Sequence, residues 1–334
     1  MKKLSVFLLS SAALALVVRP AVAEVIDYQN LVTANPNLLY YWSFDGTDNT
    51  TRQADKAPGA DGSANLIQQT YGNNPTPVSF TTGWSAGFAP ASTAAVTTRT
   101  GGDRAQDGAS GAAFKTADAS SAAYLNLPST MTVEAIIQPH QTTLPGTFGV
   151  GYVAVSRPAT NVRGAFLMQG SSAGSAAQYS DNLTALIGSS WSTGNELTLL
   201  DALTADDWYY TASTFEVSGG NTTITSYIAN LSAGETTLTS LGSKTVNGSY
   251  LGSAPLGIGM ANFRITQAGT PSEWYQSAFP GAIDEVAIYN AALSPATLQG
   301  HLNALWVPEP SGMVLMLFGL VGWVLATGRR RRGK

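Results

Sequence analysis

Phe279-Pro-Gly-Ala-Ile-Asp-Glu-Val-Ala-Ile-Tyr-Asn290 decides the fold. It reads as a long strand in which Ile283, Glu285, Ala287 and Tyr289 alternate with Asp284, Val286, Ile288 and Asn290. Neither set is uniformly polar, so both faces are expected to be partly covered. Asp284 and Glu285 are neighbours, which in a regular strand sends their side chains to opposite faces. Pro280-Gly281 punctuates the start. Beyond Asn290, Ser294 is a good N-cap and Pro295 suits the first helical position, while Leu298, Leu302 and Leu305 recur at helical spacing. A late strand handing over to one short helix closes a mostly β domain.

Upstream, residues 27–37 are a lead-in that forms a turn or brief helix before Pro36. Residues 38–44 (LLYYWSF) are an aromatic-rich strand. Residues 47–63 read as a surface loop and 64–69 as a short strand. Residues 75–109 read as long loops with one or two edge strands, disorder being the competing view for part of them. Strands are expected over 112–115, 123–127, 131–138, 150–156, 164–169, 183–188, 196–200, 208–217, 222–228, 238–241 and 256–262. Gly219-Gly220-Asn221 is a tight turn that pairs two of them as a hairpin. Residues 262–279 read as a loop. So many short strands with so little helix argue an all-β antiparallel sandwich. One domain over 24–306 is preferred to a division near Gly111, because the strand at 38–44 would otherwise lack partners.

The two ends stand apart from this body. Lys2 and Lys3 precede the apolar run 4–18, and Ala21-Val22-Ala23 forms an A-x-A site, so residues 1–23 read as a secretory signal cleaved after Ala23. An N-terminal membrane anchor is the alternative. At the other end, residues 307–334 contain Pro308-Glu309-Pro310, an uncharged stretch over about 311–328 read as a transmembrane helix, and a basic tail at 329–334. A buried core helix with a basic tail is the alternative there.

The chain contains no cysteine, and a body of this size can bury a core without disulfides. Between Glu24 and Pro310 there are 9 basic and 21 acidic side chains, a net charge of −12. That excludes nucleic acid as a partner class and suits cations or neutral glycans.

Two resemblances follow from these residues. Pro308, Glu309 and Pro310, the short hydrophobic segment and Arg329, Arg330, Arg331 and Arg332 together resemble the PEP-CTERM sorting signal of Gram-negative bacteria. The resemblance implies processing by signal peptidase and by an exosortase. It further implies transient residence in the inner membrane, then the cell surface or an extracellular matrix such as biofilm. The body resembles the concanavalin A-like jelly roll, in particular LamG-like (laminin G or pentraxin-type) domains. Tyr40-Tyr41-Trp42-Ser43-Phe44-Asp45 looks like the opening Y-x-W/P-F-D strand. Residues 131–139 look like F-T-I-S-A-W-V-K-P, departing at Glu134-Ala135-Ile136, where the usual tryptophan is missing. Trp208 with its strand, then residues 225–230, resemble the W-H-H-V-A and L-Y-V-D-G strands. Residues 281–293 match G-x-I-D-E-V-x-I-Y-N-x-A-L closely.

Some members of that family bind Ca²⁺, which makes calcium the candidate cofactor and Asp45 and Asp284 the metal positions. Calcium takes six to eight oxygens, and plain strand-end capping by Asp45 is the simpler reading. Trp84, Trp191 and Trp274, with Tyr250 and Tyr275, fall in expected loops and are the glycan-stacking candidates; local packing is the alternative role. Trp42 and Trp208 lie on strands and belong to the core. No catalytic residue is assigned. The E-x-D-x-x-E pattern of the glycan-hydrolysing jelly rolls has no match here. His140 and His301 lie in no H-E-x-x-H pattern, and no G-x-S-x-G elbow occurs. The expected function is therefore a non-catalytic surface or matrix protein contacting extracellular polysaccharide or a neighbouring protein. A glycan-active hydrolase and a purely structural matrix protein without ligand are the alternatives.

Overall fold

Apolar residues at alternate positions, interrupted by glycine and polar turns, give the chain a series of short strands, and each strand needs a neighbour for its backbone groups. The computed structural model describes residues 25–45, 52–60, 64–71, 76–84, 93–100, 110–116, 125–142, 144, 151–159, 162–169, 182–188, 196–199, 202–249, 253–254, 256–267 and 270–306. In chain order it holds α1 (Val25–Thr33), β1 (Leu38–Trp42), β2 (Arg52–Gln53), β3 (Leu66–Tyr71), β4 (Ser79–Thr82), β5 (Thr93–Thr100), β6 (Ser110–Thr116) and β7 (Leu125–Asn126). Then come β8 (Met131–Pro139), β9 (Gly151–Ala159), β10 (Val162–Gln169), β11 (Leu183–Gly188), β12 (Glu196–Leu199), β13 (Tyr209–Ser218) and β14 (Asn221–Asn230). The chain ends its described part with β15 (Thr239–Asn247), β16 (Ser253–Ala254), β17 (Leu256–Ile258), β18 (Ala261–Gln267), β19 (Thr270–Gln276), β20 (Gly281–Tyr289) and α2 (Pro295–Ala304).

The hydrogen-bonded path runs β12-β11-β10-β9-β17-β6-β5-β20-β8-β13-β14-β15. It folds back on itself at β5. Residues Ala95 and Thr97 of β5 pair with Ile283 and Gly281 of β20, while Thr98 and Thr100 pair with Ala112 and Ser110 of β6. The two resulting layers then face each other: β10 lies over β8 and β13, β11 over β14, and β12 over β15. This is an all-β antiparallel sandwich with two short helices.

Between the layers, Val133, Ile137, Ile283 and Val286 from one side meet Val153, Leu167, Leu183 and Ile187 from the other. Phe166 and Phe215 close the gap edge to face, with ring centroids 5.7 Å apart. Burial of this kind contributes about 25 cal/mol per Å² of apolar surface. A second apolar layer lies on the outer face of the β20–β8–β13 sheet. There Tyr28 and Val32, four apart on α1, pack with Leu298 and Leu302, four apart on α2, over Ile136, Tyr210 and Tyr289. Ser294 caps α2 by accepting from Thr297 N, and Pro295 follows it.

Several expectations need correction. Within 75–109, β4 is an edge strand as expected, pairing among the described residues only with β5, but β5 is not: it joins the two layers. Residues 262–279 are not a loop, because most of them form the β18–β19 hairpin, with Asn262 opposite Tyr275 and Phe263 opposite Trp274. The whole of β20 is buried, so both of its faces are covered fully rather than partly. Both terminal segments, 1–23 and 307–334, lie outside the described residues, and no described helix is long and apolar enough to cross a membrane.

Candidate functional site

β20 is not a regular strand. Ile283 stands opposite Ile137 of β8, but Val286 stands opposite Ala135, so β20 carries one residue more than its partner between these points. This is a β-bulge. Ile283 and Val286 both face the sandwich interior. The bulge therefore puts Asp284 and Glu285 together on the outer face, contrary to the alternation expected of neighbours in a strand. Asp284 Oδ2 accepts from Trp84 N at 2.8 Å. Glu285 Oε1 accepts from Gln29 Nε2 at 2.9 Å, and the Tyr41 hydroxyl bonds Glu285 Oε2.

Asp45 reaches the same place from the end of β1. Phe44 has φ 55°, a left-handed conformation that costs a bulky residue energy and turns the chain sharply. Asp45 Oδ2 then accepts from Gln29 Nε2 at 2.6 Å, with Lys56 Nζ 3.8 Å away, and Oδ1 accepts from Thr93 N at 3.3 Å. Lys56 also donates to Ser43 Oγ. The Asp45–Lys56 pair is partly open to water. Glu285 is fully buried, and burial first, then the charges of Asp284 and Asp45, push its carboxyl well above the usual carboxylate range. Its surroundings therefore favour the neutral carboxyl.

Of the two metal positions, Asp45 shares the Gln29 amide with Glu285, and Asp284 adjoins Glu285 in the bulge. The donor set nevertheless does not fit calcium as it stands. Asp45 and Oδ2 of Asp284 already accept from Gln29, Thr93 and Trp84, with Lys56 close by, and calcium needs a shell of six to eight oxygens. Lys56 supplies the positive charge. Among the described residues no group of three or more His, Cys, Asp or Glu is arranged to hold a metal ion.

A second carboxylate centre lies deeper under the helices. Glu134 points outward from β8 and is fully buried. Its Oε1 accepts from the Tyr289 hydroxyl at 2.5 Å and the Tyr28 hydroxyl at 3.0 Å; its Oε2 accepts from the Tyr210 hydroxyl at 2.6 Å. His301 Nδ1 lies 2.9 Å from Oε2 and 3.1 Å from Oε1. Burial raises the Glu134 carboxyl, but the His301 charge and the hydrogen bonds outweigh it, and the net shift is downward. Burial lowers the His301 imidazole, yet Glu134 pulls it above its ordinary value. The pairing thus favours the charged form of each group. Tyr28, Tyr210 and Tyr289 are pushed well above the normal phenol range, by burial first and then by Glu134. Three strands, β8, β13 and β20, and both helices are tied together at one carboxylate.

The aromatic candidates divide. Trp84 is not an exposed platform: it is 8% exposed, belongs to the layer under the helices and stacks edge-on against Trp306 at 5.6 Å. Trp274 and Tyr275 lie on β19, not in a loop. Trp191 and Tyr250 lie outside the described residues, as do Ala21, Ala23, Pro308, Glu309, Pro310 and Arg329 to Arg332. Trp42 is core, whereas Trp208 is only half-buried and precedes its strand. Sequence reading passed over Glu134, Glu285 and His301 as a set. The available signal was a glutamate at the centre of the apolar strand MTVEAIIQ, because a carboxylate in a covered face must find partners.

Residues 107–299, more than half of the chain, match the Laminin_G_3 family model, described as the concanavalin A-like lectin/glucanases superfamily. No curated protein matches the chain. Among solved structures, one from work on botulinum neurotoxin type C, whose cell entry is described as dependent on two ganglioside molecules, is 11% identical. Its TM-score is 0.43, over 80% of this chain and 51% of that one. This chain thus spans about half the length of that relative. The CBM40 of the Ruminococcus gnavus IT-sialidase, bound to alpha2,3 sialyllactose, is 10% identical, with a TM-score of 0.34 over 52% of this chain and 83% of that one. Trypanosoma rangeli sialidase in complex with sialic acid is 9% identical, with a TM-score of 0.41 over 83% and 37%.

Proposed function

Because the chain belongs to the concanavalin A-like lectin/glucanases superfamily, we propose that it is an exported, non-catalytic protein whose sandwich contacts extracellular glycan or a neighbouring surface protein. One observation carries the non-catalytic half of this reading. Glu134 and Glu285, the fully buried glutamates at the centres of the two carboxylate clusters, are spent on hydrogen bonds that hold the helices and the first strand to the sheet. Glycoside hydrolysis needs two carboxyl groups open to a substrate, one on each side of the scissile bond. Neither Glu134 nor Glu285 is open to a substrate.

The terminal segments support export: an A-x-A site at Ala21 and Ala23, and the ordered Pro308-Glu309-Pro310, apolar and arginine segments at the other end. In this reading signal peptidase removes residues 1–23 and an exosortase removes the C-terminal segment, leaving residues 24–306 as the working domain. Trp191, Trp274, Tyr250 and Tyr275 remain the proposed glycan contacts. Any part of calcium at Asp45 and Asp284 is read by the chelator arm of the array below.

Intact mass of the protein from envelope and medium tests the export half; a full-length cytoplasmic product rejects it. A glycan array on the secreted protein, run with calcium and with chelator and followed by product analysis, tests the binding half. Saturable binding without released sugar is expected. Released sugar transfers the protein to the hydrolases.

A further inference from the structure

α1 and α2 lie side by side on the sheet, and a groove of about 440 Å³ opens between them. Its floor is His301. That imidazole is 1% exposed, and Tyr28 and Tyr289 flank it with ring centroids at 6.2 and 5.9 Å. Nδ1 is committed to Glu134, which as a carboxylate can only accept, so Nδ1 carries a proton. Nε2 has no protein partner among the described residues, although the ring lines the groove. Nδ1–H is satisfied by Glu134 from below, and Nε2 is the ring nitrogen left for a ligand; once the imidazole is protonated, Nε2 too is a donor.

The first turn of α2 forms one wall. Thr297 N bonds Ser294 Oγ, and Leu298 N bonds Ser294 O, but Ala296 N has no protein partner among the described residues. Unpaired first-turn N–H groups and the helix dipole favour negative charge. The groove lining contains no acidic residue. Leu31, Pro36 and Leu293 give it an apolar side; Asn35, Asn37 and Thr297 give it polar rim groups. Leu31 is 41% exposed, the largest departure from burial among the large apolar side chains described. The volume falls in the range of small-ligand sites, roughly 300–1,000 Å³.

We propose that this groove binds a small carboxylate of sugar-acid size, with the charged group between His301 Nε2 and the first turn of α2 and the body of the ligand against Leu31 and Leu293. A cation is disfavoured by the same donors. Glu134 does not repel the guest strongly, because three tyrosine hydroxyls and the imidazole already share its charge. The site lies on the helix face and does not depend on the glycan contact proposed above; its readout is a ring nitrogen, so it stands or fails separately.

Only two histidines exist in the chain, His140 and His301. Nitrogen-15 NMR of histidine-labelled full chain therefore gives two ring systems. Sodium glucuronate should move the His301 Nε2 signal saturably in the millimolar range and leave His140 in place. Glucose and an equal concentration of sodium chloride should not. If alginate moves it and glucuronate does not, the carboxylate arrives on a polymer; if both do, the free acid suffices. Ala296→Asp adds a charge at an exposed helix start that tolerates it, so melting should be unchanged while affinity falls at least tenfold. No saturable shift with either uronate, an equal shift with glucose or chloride, or unaltered affinity in Ala296→Asp overturns the proposal.

Discussion

Glu134 and His301 are 167 positions apart in sequence and meet at 2.9 Å under the helices, where neither side chain has appreciable contact with water. The pair converts a helix that is short for independent stability into a fixed part of the sheet's outer layer. Removing one partner leaves a buried charge uncompensated, which typically costs about 3–5 kcal/mol. His301→Ala should therefore lower unfolding free energy by several kcal/mol in urea titrations. Tyr289→Phe, which removes one of the hydroxyl donors, should cost less, about 1.5–3 kcal/mol. A loss under 1 kcal/mol for His301→Ala would show that the pair is dispensable.

Stability should peak in mildly acidic solution. His301 has its imidazole raised above 6.5, so its contribution is fully present below that value and is lost as pH climbs through the raised one. Glu134 is lowered from 4.5, so its contribution is present above 4.5 and is lost as pH falls through the lowered value. Together they favour the window between about 4.5 and 6.5. Glu285 is raised, so it too loses stability as pH rises. Tyr28, Tyr210 and Tyr289 stay neutral throughout. Melting temperatures from pH 4 to pH 9 should fall on the alkaline side; a curve flat or rising from pH 7 to 9 contradicts this assignment.

Glu285→Gln keeps the shape and the acceptor oxygen while removing the group that Asp284 and Asp45 repel. Its melting temperature relative to wild type should improve with rising pH. A relative loss that grows toward pH 9 would mean that Glu285 is ionised in the folded protein.

Gly281 marks a close backbone approach. A Cβ built there would lie 2.2 Å from Gln138 O and 2.6 Å from Phe279 Cε1. Gly281→Ala must spread β20 from β8 and should cost about 1–3 kcal/mol, as overpacking does. Thermal unfolding reads it directly, and an unchanged midpoint would show that the strands give way freely.

Trp84→Ala should behave as a core truncation, with a loss of about 3–5 kcal/mol, because the indole packs on Trp306 under the helices. Glycan retention by the folded fraction should not change. Retained stability with lost retention would return Trp84 to the binding surface.

Much of the fold was legible in the residues. The strand at Met131–Pro139, the one at Leu183–Gly188 and the Ser294-capped helix lie where their periodicity and caps put them. Other parts were not legible, for identifiable reasons. In the β18–β19 hairpin, Phe263 and Ile265 do alternate with Asn262, Arg264 and Thr266, but Thr270–Gln276 shows no such alternation. The bulge at Asp284-Glu285 leaves no mark in composition, since alternation assumes regular pairing. Asp45 joins the pair only through the left-handed Phe44, and no pattern of residue types announces that turn. The Glu134 centre assembles from five separate elements. Sequence spacing could show that a carboxylate in an apolar strand needed partners, but not that they would be three tyrosines and a histidine.

Binding and bond cleavage can be read in one tube, with the secreted protein mixed with the exopolysaccharide of its own source cells and both the bound fraction and newly formed reducing ends followed. Saturable binding with reducing ends at the level of the protein-free control is the expected result. Reducing ends that accumulate in proportion to protein and time would contradict the non-catalytic assignment.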